Sequence, residues 1–319
     1  MTPRPIFDIR IGGRKARLGE RTLIMGALNV TPDSFSDGGL YLDPAAAVKQ
    51  GWDLVRQGAD WIDVGGESTR PGSEPVSAEE ELRRVLPVIR SLRRKLPSTP
   101  ISLDTTKAEV AEKGLQAGAN ILNDISGLRF DRRLAEVARC HKVPLILMHL
   151  RGRPATMQTR PFVADILQSV TRGLATSVRR ALSAGLRRSQ LILDPGLGFG
   201  KSRFQNFQII AQLGRLHLFD LPVLVGSSRK SFVQAVSAGT GLRGGAPHGH
   251  RGRRGVAAYW PMMRKQVEAR RPLLSADAAA VVASILAGAH IVRVHDVEGI
   301  LPAVRIADAV LEAGGQVGS

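Results

Sequence analysis

One cysteine, Cys140, stands in 319 residues, so the chain can form neither an intrachain disulfide nor a cysteine-built zinc site. That usage fits a reducing compartment, and Cys140 is expected to be an inert, partly buried thiol rather than a nucleophile. Long apolar runs are missing as well: no stretch approaches the ~18–20 uninterrupted apolar residues of a membrane span. The opening MTPRPIFDIR lacks the apolar core of a signal peptide, and a cytoplasmic location is the expectation. Aromatic residues amount to 4%, whereas Ala, Val, Leu, Ile and Gly are abundant. This palette suits parallel strands covered by helices and not an aromatic-rich sandwich. Acidic residues are short too, 28 against 45 basic ones, which leaves a net charge of +17.

Such an excess attracts anionic small molecules or nucleic acid, and its distribution separates the two. Arg243, Arg251, Arg253, Arg254, Arg264, Lys265, Arg270 and Arg271 carry part of it, opposed in that stretch only by Glu268. The remainder is scattered over helix-like segments, as at Arg83, Arg84, Arg90, Arg93, Arg94 and Lys95, where a solvated face accounts for it. Nucleic-acid binding calls for aromatic stacking residues among the arginines, and segment 240–274 offers only Tyr259 and Trp260. No nucleic-acid partner is expected.

What the chain does have is a series of short apolar runs, each closed by a polar residue and followed by a helix-length segment. Leu23–Leu28 ends at Asn29, Trp61–Ile62 at Asp63, Ile101–Leu103 at Asp104, and Ile121–Leu122 at Asn123. Val143–Met148 ends at His149 and Leu191–Leu193 at Asp194; Val223–Val225 leads into GSSRKS, and Ile291–Val292 into Arg293 and His295. Between them, DPAAAVKQGWDLVRQGA and SAEEELRRVLPVIRSLRRKL repeat apolar residues at the helical 3,4 spacing. Ser77 and Glu80 resemble a capping box, and Gly58 and Gly118 sit where left-handed helix ends are expected.

Eight strand–helix alternations predict a single α/β domain over 1–319, a closed (β/α)8 barrel, with the first ~20 residues forming a hairpin at its base. Segment 240–274 reads as a long, mobile excursion between the seventh and eighth strands. In such a barrel the C-terminal strand ends converge on one mouth. Asn29, Asp63, Asp104, Asn123, His149, Asp194, Lys230, Arg293 and His295 should therefore surround one cavity. Any single Asp or Asn there reads equally as a turn former; the set from consecutive strands does not.

Three Gly-containing loops lie at that mouth: TPDSFSDGG at 31–39, GGESTRPGSEPV at 65–76 and DPGLGFGKS at 194–202. The first two suit lids that wrap an anion. The third fails as a Walker A loop, because Pro195 stands where Gly is needed, and as a dinucleotide fingerprint, because Lys201 does.

IMGALNVTPDSFSDGG, DVGGESTRPGSEPV, SLDT, NDISG, LMHLRGRPATMQ, LDPGLGFGKS, VGSSRKSF and RVHDV, in this order, resemble the successive motifs of the dihydropteroate synthases, a pterin-binding barrel family. The likeness covers about 20–235 and 288–300; between 240 and 280 the chain departs, with ARRPLLSADAAAVV before the last helix, and the resemblance implies that this last helix helps form a homodimer contact. The resemblance implies a transferase of folate synthesis that displaces pyrophosphate from 7,8-dihydropterin-6-ylmethyl diphosphate with the amine of p-aminobenzoate. It further implies pterin contacts at Asp104, Asn123, Asp194, Lys230, Met148 and Gly226. Diphosphate contacts are implied at Asn29, Thr69, Arg70, Arg293 and His295, with Mg2+ held through Asn29. The p-aminobenzoate, and sulfonamides competing with it, would meet Thr69, Pro71, Phe199, Lys230 and Ser231. Asp104, Lys230 and Arg70 are the implied catalytic residues. A pterin-binding methyltransferase would share the Asp104, Asn123 and Asp194 pocket but has no use for the 31–39 lid, Arg70 and SRKS. A silent homologue would have lost lid or anion residues, and none is missing.

Overall fold

The computed structural model describes residues 4–31, 43–70, 72–159, 163–239, 241–242 and 263–315. Two short strands, β1 (Phe7–Ile11) and β2 (Arg14–Leu18), pair antiparallel across the turn at Gly12 and Gly13. Eight further strands follow: β3 (Leu23–Asn29), β4 (Trp61–Gly65), β5 (Ile101–Asp104), β6 (Ile121–Asp124), β7 (Leu145–Met148), β8 (Leu191–Asp194), β9 (Leu224–Val225) and β10 (Ile291–Val294). Every pairing among them is parallel, in the order β8-β7-β6-β5-β4-β3-β10-β9. A parallel bridge from Leu193 to Val223 joins the two ends, with the Leu193 amide donating to Pro222 O at 2.9 Å. The expected (β/α)8 barrel and its leading hairpin are both present.

Helices α1 (Pro44–Arg56) and α2 (Ala78–Lys95) form where the 3,4 spacing places them, and α3 (Ala108–Gln116), α4 (Arg133–Cys140, whose Cys140 is exposed and not partly buried), α5 (Ile166–Ser183), α6 (Arg203–Ala211), α7 (Ser231–Ser237), α8 (Met263–Leu286) and α9 (Val297–Gly315) complete the layer. Helix α2 shows why. Ser77 Oγ accepts from the Glu80 amide at 3.1 Å, acids fill its first turn and bases its last, which complements the helix dipole. The capping box is only half made, since the Glu80 carboxylate turns to Arg83 and Arg84 instead. Gly58 and Gly118 end α1 and α3 at φ +109° and +118°, the left-handed geometry expected of them. Segment 240–274 divides. Residues 240 and 243–262 lie outside the described ones, while 263–274 form the first turns of α8.

The strand interiors are layered by parity, because successive side chains alternate between the barrel interior and the helices. At the base, Leu23, Met25, Trp61, Ile121, Ile146, Ile192, Leu224 and Ile291 pack with Ile9, Ile11 and Leu18 of the hairpin in one buried cluster. The hairpin thus plugs the barrel floor. Two residues further along each strand, on the same face, come Asp63, Asn123, Met148, Asp194, Gly226 and Arg293. The opposite face of the strands meets the helices in the larger core, with Val64, Val85, Leu103 and Val292 among its fully buried members.

Polar staples fix the floor to the chain ends. Arg4 donates to Ala289 O at 3.2 Å and to Asp308 of α9 at 3.0 Å, and Asp308 also accepts from the Thr22 amide at 2.9 Å. The His290 ring is fully buried; its Nδ1 accepts from the Val223 amide at 3.1 Å and its Nε2 donates to Pro5 O at 3.0 Å. That pair of bonds requires the neutral ring, and burial pulls its pKa down to about 4. The folded value lies below the ordinary one, so stability is full above about pH 6.5 and is lost as pH falls toward 4, by about 1.4 kcal/mol per pH unit. His290→Gln should be less stable than the parent at pH 7.5, and the gap should narrow steadily between pH 6.5 and 4 in urea titrations. A gap that stays constant with pH refutes the assignment.

Candidate active site

At the mouth, the second interior layer brings charged groups together above the apolar floor. Asp63 is fully buried on β4; its Oδ2 accepts from Asn123 Nδ2 at 3.1 Å and from Arg293 Nε at 2.6 Å. Its other oxygen, equally buried, has no hydrogen-bond partner among the described residues. Arg293 reaches on to Asp104 Oδ2 at 3.4 Å, so one guanidinium on β10 joins carboxylates of β4 and β5. Burial, and then the nearby Asp63 charge, raise the Asp104 carboxyl well above the usual range, against the pull of Arg293.

Across the pocket, Asp194 Oδ1 accepts from the Gly196 amide at 2.7 Å, and burial raises this carboxyl to about 6. Lys230 caps the layer. Its ammonium sits 4.1 Å from the centre of the Phe199 ring, a cation–π contact, and burial followed by Arg293 lowers its pKa to about 8. Gly198 leaves room for this, because a Cβ there would come within 3.1 Å of Lys230 Cδ. His295 is held neutral by burial and by the surrounding cations, Arg293 first, with its pKa pulled down to about 3; its Nδ1 lies 3.4 Å from Ser228 Oγ.

Thr69, Asp104, Asn123, Met148, Asp194, Phe199, Gly226, Lys230, Arg293 and His295 line this one small cavity, about 30 Å³ with the Arg293 side chain in place, together with Ile125, Leu197 and Ser228. A wider cavity of about 630 Å³ opens beside it and shares Thr69, Asp104 and Ile125. Asn29 ends β3 at the same rim, on the interior parity, paired with Gly65. Arg70 and Ser231 are exposed outside the small cavity, and Pro71 and residues 32–42 of the first lid lie outside the described residues.

His149 does not belong to the mouth. It follows Met148 by one residue and so takes the opposite parity, toward α5, where a Cβ on Gly173 would collide with its ring. Burial lowers its pKa to about 2.

The structure adds to the sequence reading at two residues. Asp63 was expected at the mouth as a strand terminator, but β4 runs on to Gly65, which sinks it below the rim into the centre of the charge network. Asp277 of α8 accepts from Ser228 Oγ at 3.0 Å and from the Arg229 amide at 3.0 and 3.1 Å, fixing the turn that delivers Lys230. Arg229 needs this support, since its φ of +57° is left-handed. Nothing local in SADAAAVV marks Asp277 as such an anchor.

Removing Asp63 would leave Arg293 half-paired in a buried site. Asp63→Ala should destabilise the protein by about 3–5 kcal/mol, and Asp63→Asn by less, because the amide can still accept from Arg293. Chemical denaturation of the three proteins checks the order; an Asp63→Ala protein as stable as the parent would deny the pair its structural weight.

Residues 25–295 match the model of the pterin binding enzyme family. A dihydropteroate synthase of Synechocystis sp. is 42% identical over 292 residues, 92% of this chain and 91% of that protein. The Yersinia pestis dihydropteroate synthase, solved in complex with a sulfonamide drug, superposes with a TM-score of 0.80 at 36% identity, covering 96% of this chain and all of that one. That of Xanthomonas albilineans, solved with 7,8-dihydropteroate, gives 0.76 at 34% identity over 95% and 98% of the two chains. With the motif order, the barrel and the mouth all in agreement, the chain belongs to the dihydropteroate synthases of the pterin binding enzyme family.

Proposed function

We infer that this enzyme condenses 7,8-dihydropterin-6-ylmethyl diphosphate with p-aminobenzoate, giving 7,8-dihydropteroate and pyrophosphate in folate synthesis. The observation that carries the reading is the buried acceptor set at the cavity floor. Asp194 spends one oxygen on the Gly196 amide, and Asp63 has an oxygen with no partner among the described residues. Buried acceptors of this kind call for N–H donors, and an aminopyrimidine edge with its ring N–H groups supplies them. Lys230 offers a donor to the ring carbonyl, and Asn123, its amide already given to Asp63, presents its carbonyl. An analogue without the matching groups would leave these atoms unpaired, which is how the site rejects it.

In the proposed reaction the bond between the pterin methylene and the diphosphate oxygen breaks first, and the electron pair leaves with pyrophosphate. The resulting pterin methyl cation lies near the carboxylates of Asp63 and Asp104, and the aromatic amine, neutral at pH 7, adds its lone pair to it. The acidic anilinium proton then passes to solvent. Arg293 and the Arg70 lid answer the charge of the departing diphosphate, while Thr69, Phe199 and the α7 start at Ser231 meet the aminobenzoate, the position that sulfonamides would take as competitors. His295 is uncharged at neutral pH, so its part is that of a hydrogen-bond donor. Asn29, at the end of β3, would hold Mg2+ through its amide oxygen, a hard ligand of the kind this ion prefers, and the ion, when bound, would supply further neutralising charge to the leaving group. We propose a homodimer through α9, where Ile306 and Val310 are 66% and 42% exposed, and a cytoplasmic location.

Pyrophosphate release in a coupled assay with the two substrates tests the reading directly, and no release would overturn it. Asp194 supplies a sharper test. Its folded pKa of about 6 exceeds the ordinary 3.8, so its charge destabilises the fold above pH 6, and that cost fades as pH falls toward 3.8. Asp194→Asn should therefore raise the melting temperature at pH 8, yet weaken pterin binding at least tenfold; a destabilised variant that still binds pterin contradicts the assignment.

The second lid gives another outcome. Ser73 Oγ donates to Ser68 O and Arg70 O at 2.6 and 2.8 Å, so the loop is folded on itself with Arg70 at the surface. Drawing it over a diphosphate would complete the aminobenzoate wall. Calorimetry should show p-aminobenzoate binding much more tightly once pyrophosphate and Mg2+ are present, and Arg70→Ala should abolish the difference. Equal affinities with and without pyrophosphate would mean a preformed pocket.

A further inference from the structure

Lys201 has no place in the reaction above, yet it is 2% exposed, the largest fully buried side chain among the described residues. Its ammonium makes no ion pair among the described residues. Instead its three N–H groups go to three main-chain oxygens: Gly196 O at 2.7 Å, Phe199 O at 3.0 Å and His149 O at 3.1 Å. Two of these belong to the loop after β8 and one to the loop after β7, so a single cation ties the two loops together.

The arrangement answers a need set by the sequence. PGLGFG turns through left-handed glycines at 196, 198 and 200, so its carbonyls point away from any ladder. Side chains from neighbouring segments serve the rest of the loop. Gln158 Nε2 donates to Gly198 O at 2.8 Å, Arg151 to Gly200 O at 3.2 Å, and Asn206 Oδ1 accepts from the Gly198 amide at 2.7 Å. Lys201 holds the carbonyl of Phe199 itself, the residue whose ring meets Lys230. A fixed point charge in contact with three carbonyl dipoles leaves the backbone at 196–199 little freedom, and the ring that projects from it inherits that order.

We propose that Lys201 is a positioning residue for the reaction: its ammonium, clamped between the loops after β7 and β8, holds the Phe199 ring as the wall against which p-aminobenzoate packs. The inference rests on the assignment of Phe199 to that wall.

The test compares Lys201→Met, which keeps the length and loses the charge, with Lys201→Arg, whose planar fork cannot address three converging carbonyls. Both are also made in a Phe199→Ala background. The expected result is an increase in KM for p-aminobenzoate of about tenfold in each single variant, with kcat within twofold and KM for the pterin diphosphate unchanged. In the Phe199→Ala background, which raises the same KM by itself, replacing Lys201 should add less than twofold. Effects that multiply in the double variants, or a fall in kcat with KM rising for both substrates alike, would overturn the proposal. Failure of both variants to fold would do so too, by making Lys201 a residue of folding alone. Phe199→Ala with an unchanged KM would instead remove the wall assignment and the inference with it, while normal pterin turnover in that variant would leave the enzyme's reaction standing.

Discussion

The guanidinium of Arg293 is the contact on which the mouth is built. It lies between Asp63 at 2.6 Å and Asp104 at 3.4 Å, and so links the last strand of the barrel to the second and third. Taking any one of these charges out of water alone would cost several kcal/mol, and only their mutual attraction makes the set tolerable. Even so the balance is incomplete. Asp104 is held well above the normal carboxylate range by burial and by Asp63, and the second oxygen of Asp63 has no partner among the described residues. The mouth is therefore a place of electrostatic demand, which a ligand rich in N–H groups would relieve.

That demand can exist only because the rest of the barrel is dry. The hairpin closes the floor with Ile9, Ile11 and Leu18, and the ring of strand-start side chains above it is apolar except on β5, where Ser102 is buried. Four of the strands then change character within two residues on one face, from Trp61 to Asp63, Ile121 to Asn123, Ile192 to Asp194 and Ile291 to Arg293. A layer of oil beneath a layer of charge strengthens every interaction in the upper one, since no solvent reaches it from below.

Much of this was legible in the sequence, and the failures are instructive. Short apolar runs closed by polar residues gave the strands, their number and the mouth. Parity within each run was equally available, and the rule of the terminal polar residue ignored it. His149 ends its apolar run as plainly as Asp194 does, but it stands one position past Met148 and so faces α5. Asp63 closes its run at Ile62 and was expected at the mouth, but its depth was not legible, because hydrogen bonding carries β4 on through Val64 and Gly65. Asp277 was beyond reach for a different reason. Its partners, Ser228 and the Arg229 amide, lie 48 or 49 positions away in sequence, and no local pattern encodes a contact of that separation.

The staples at the floor have a consequence for the chain as a polymer. Arg4, near one end, bonds to Asp308, near the other, and Thr22 shares the same carboxylate. The two ends of the described chain thus meet on one side of the barrel, far from the mouth, and the fold is close to a continuous loop of strand–helix units. Joining the ends by a short linker and reopening the chain at an exposed helix–strand turn would preserve the order of neighbours around the ring. Such a circular permutant keeps both the plug and the charged layer, because neither depends on where along the ring the ribosome begins.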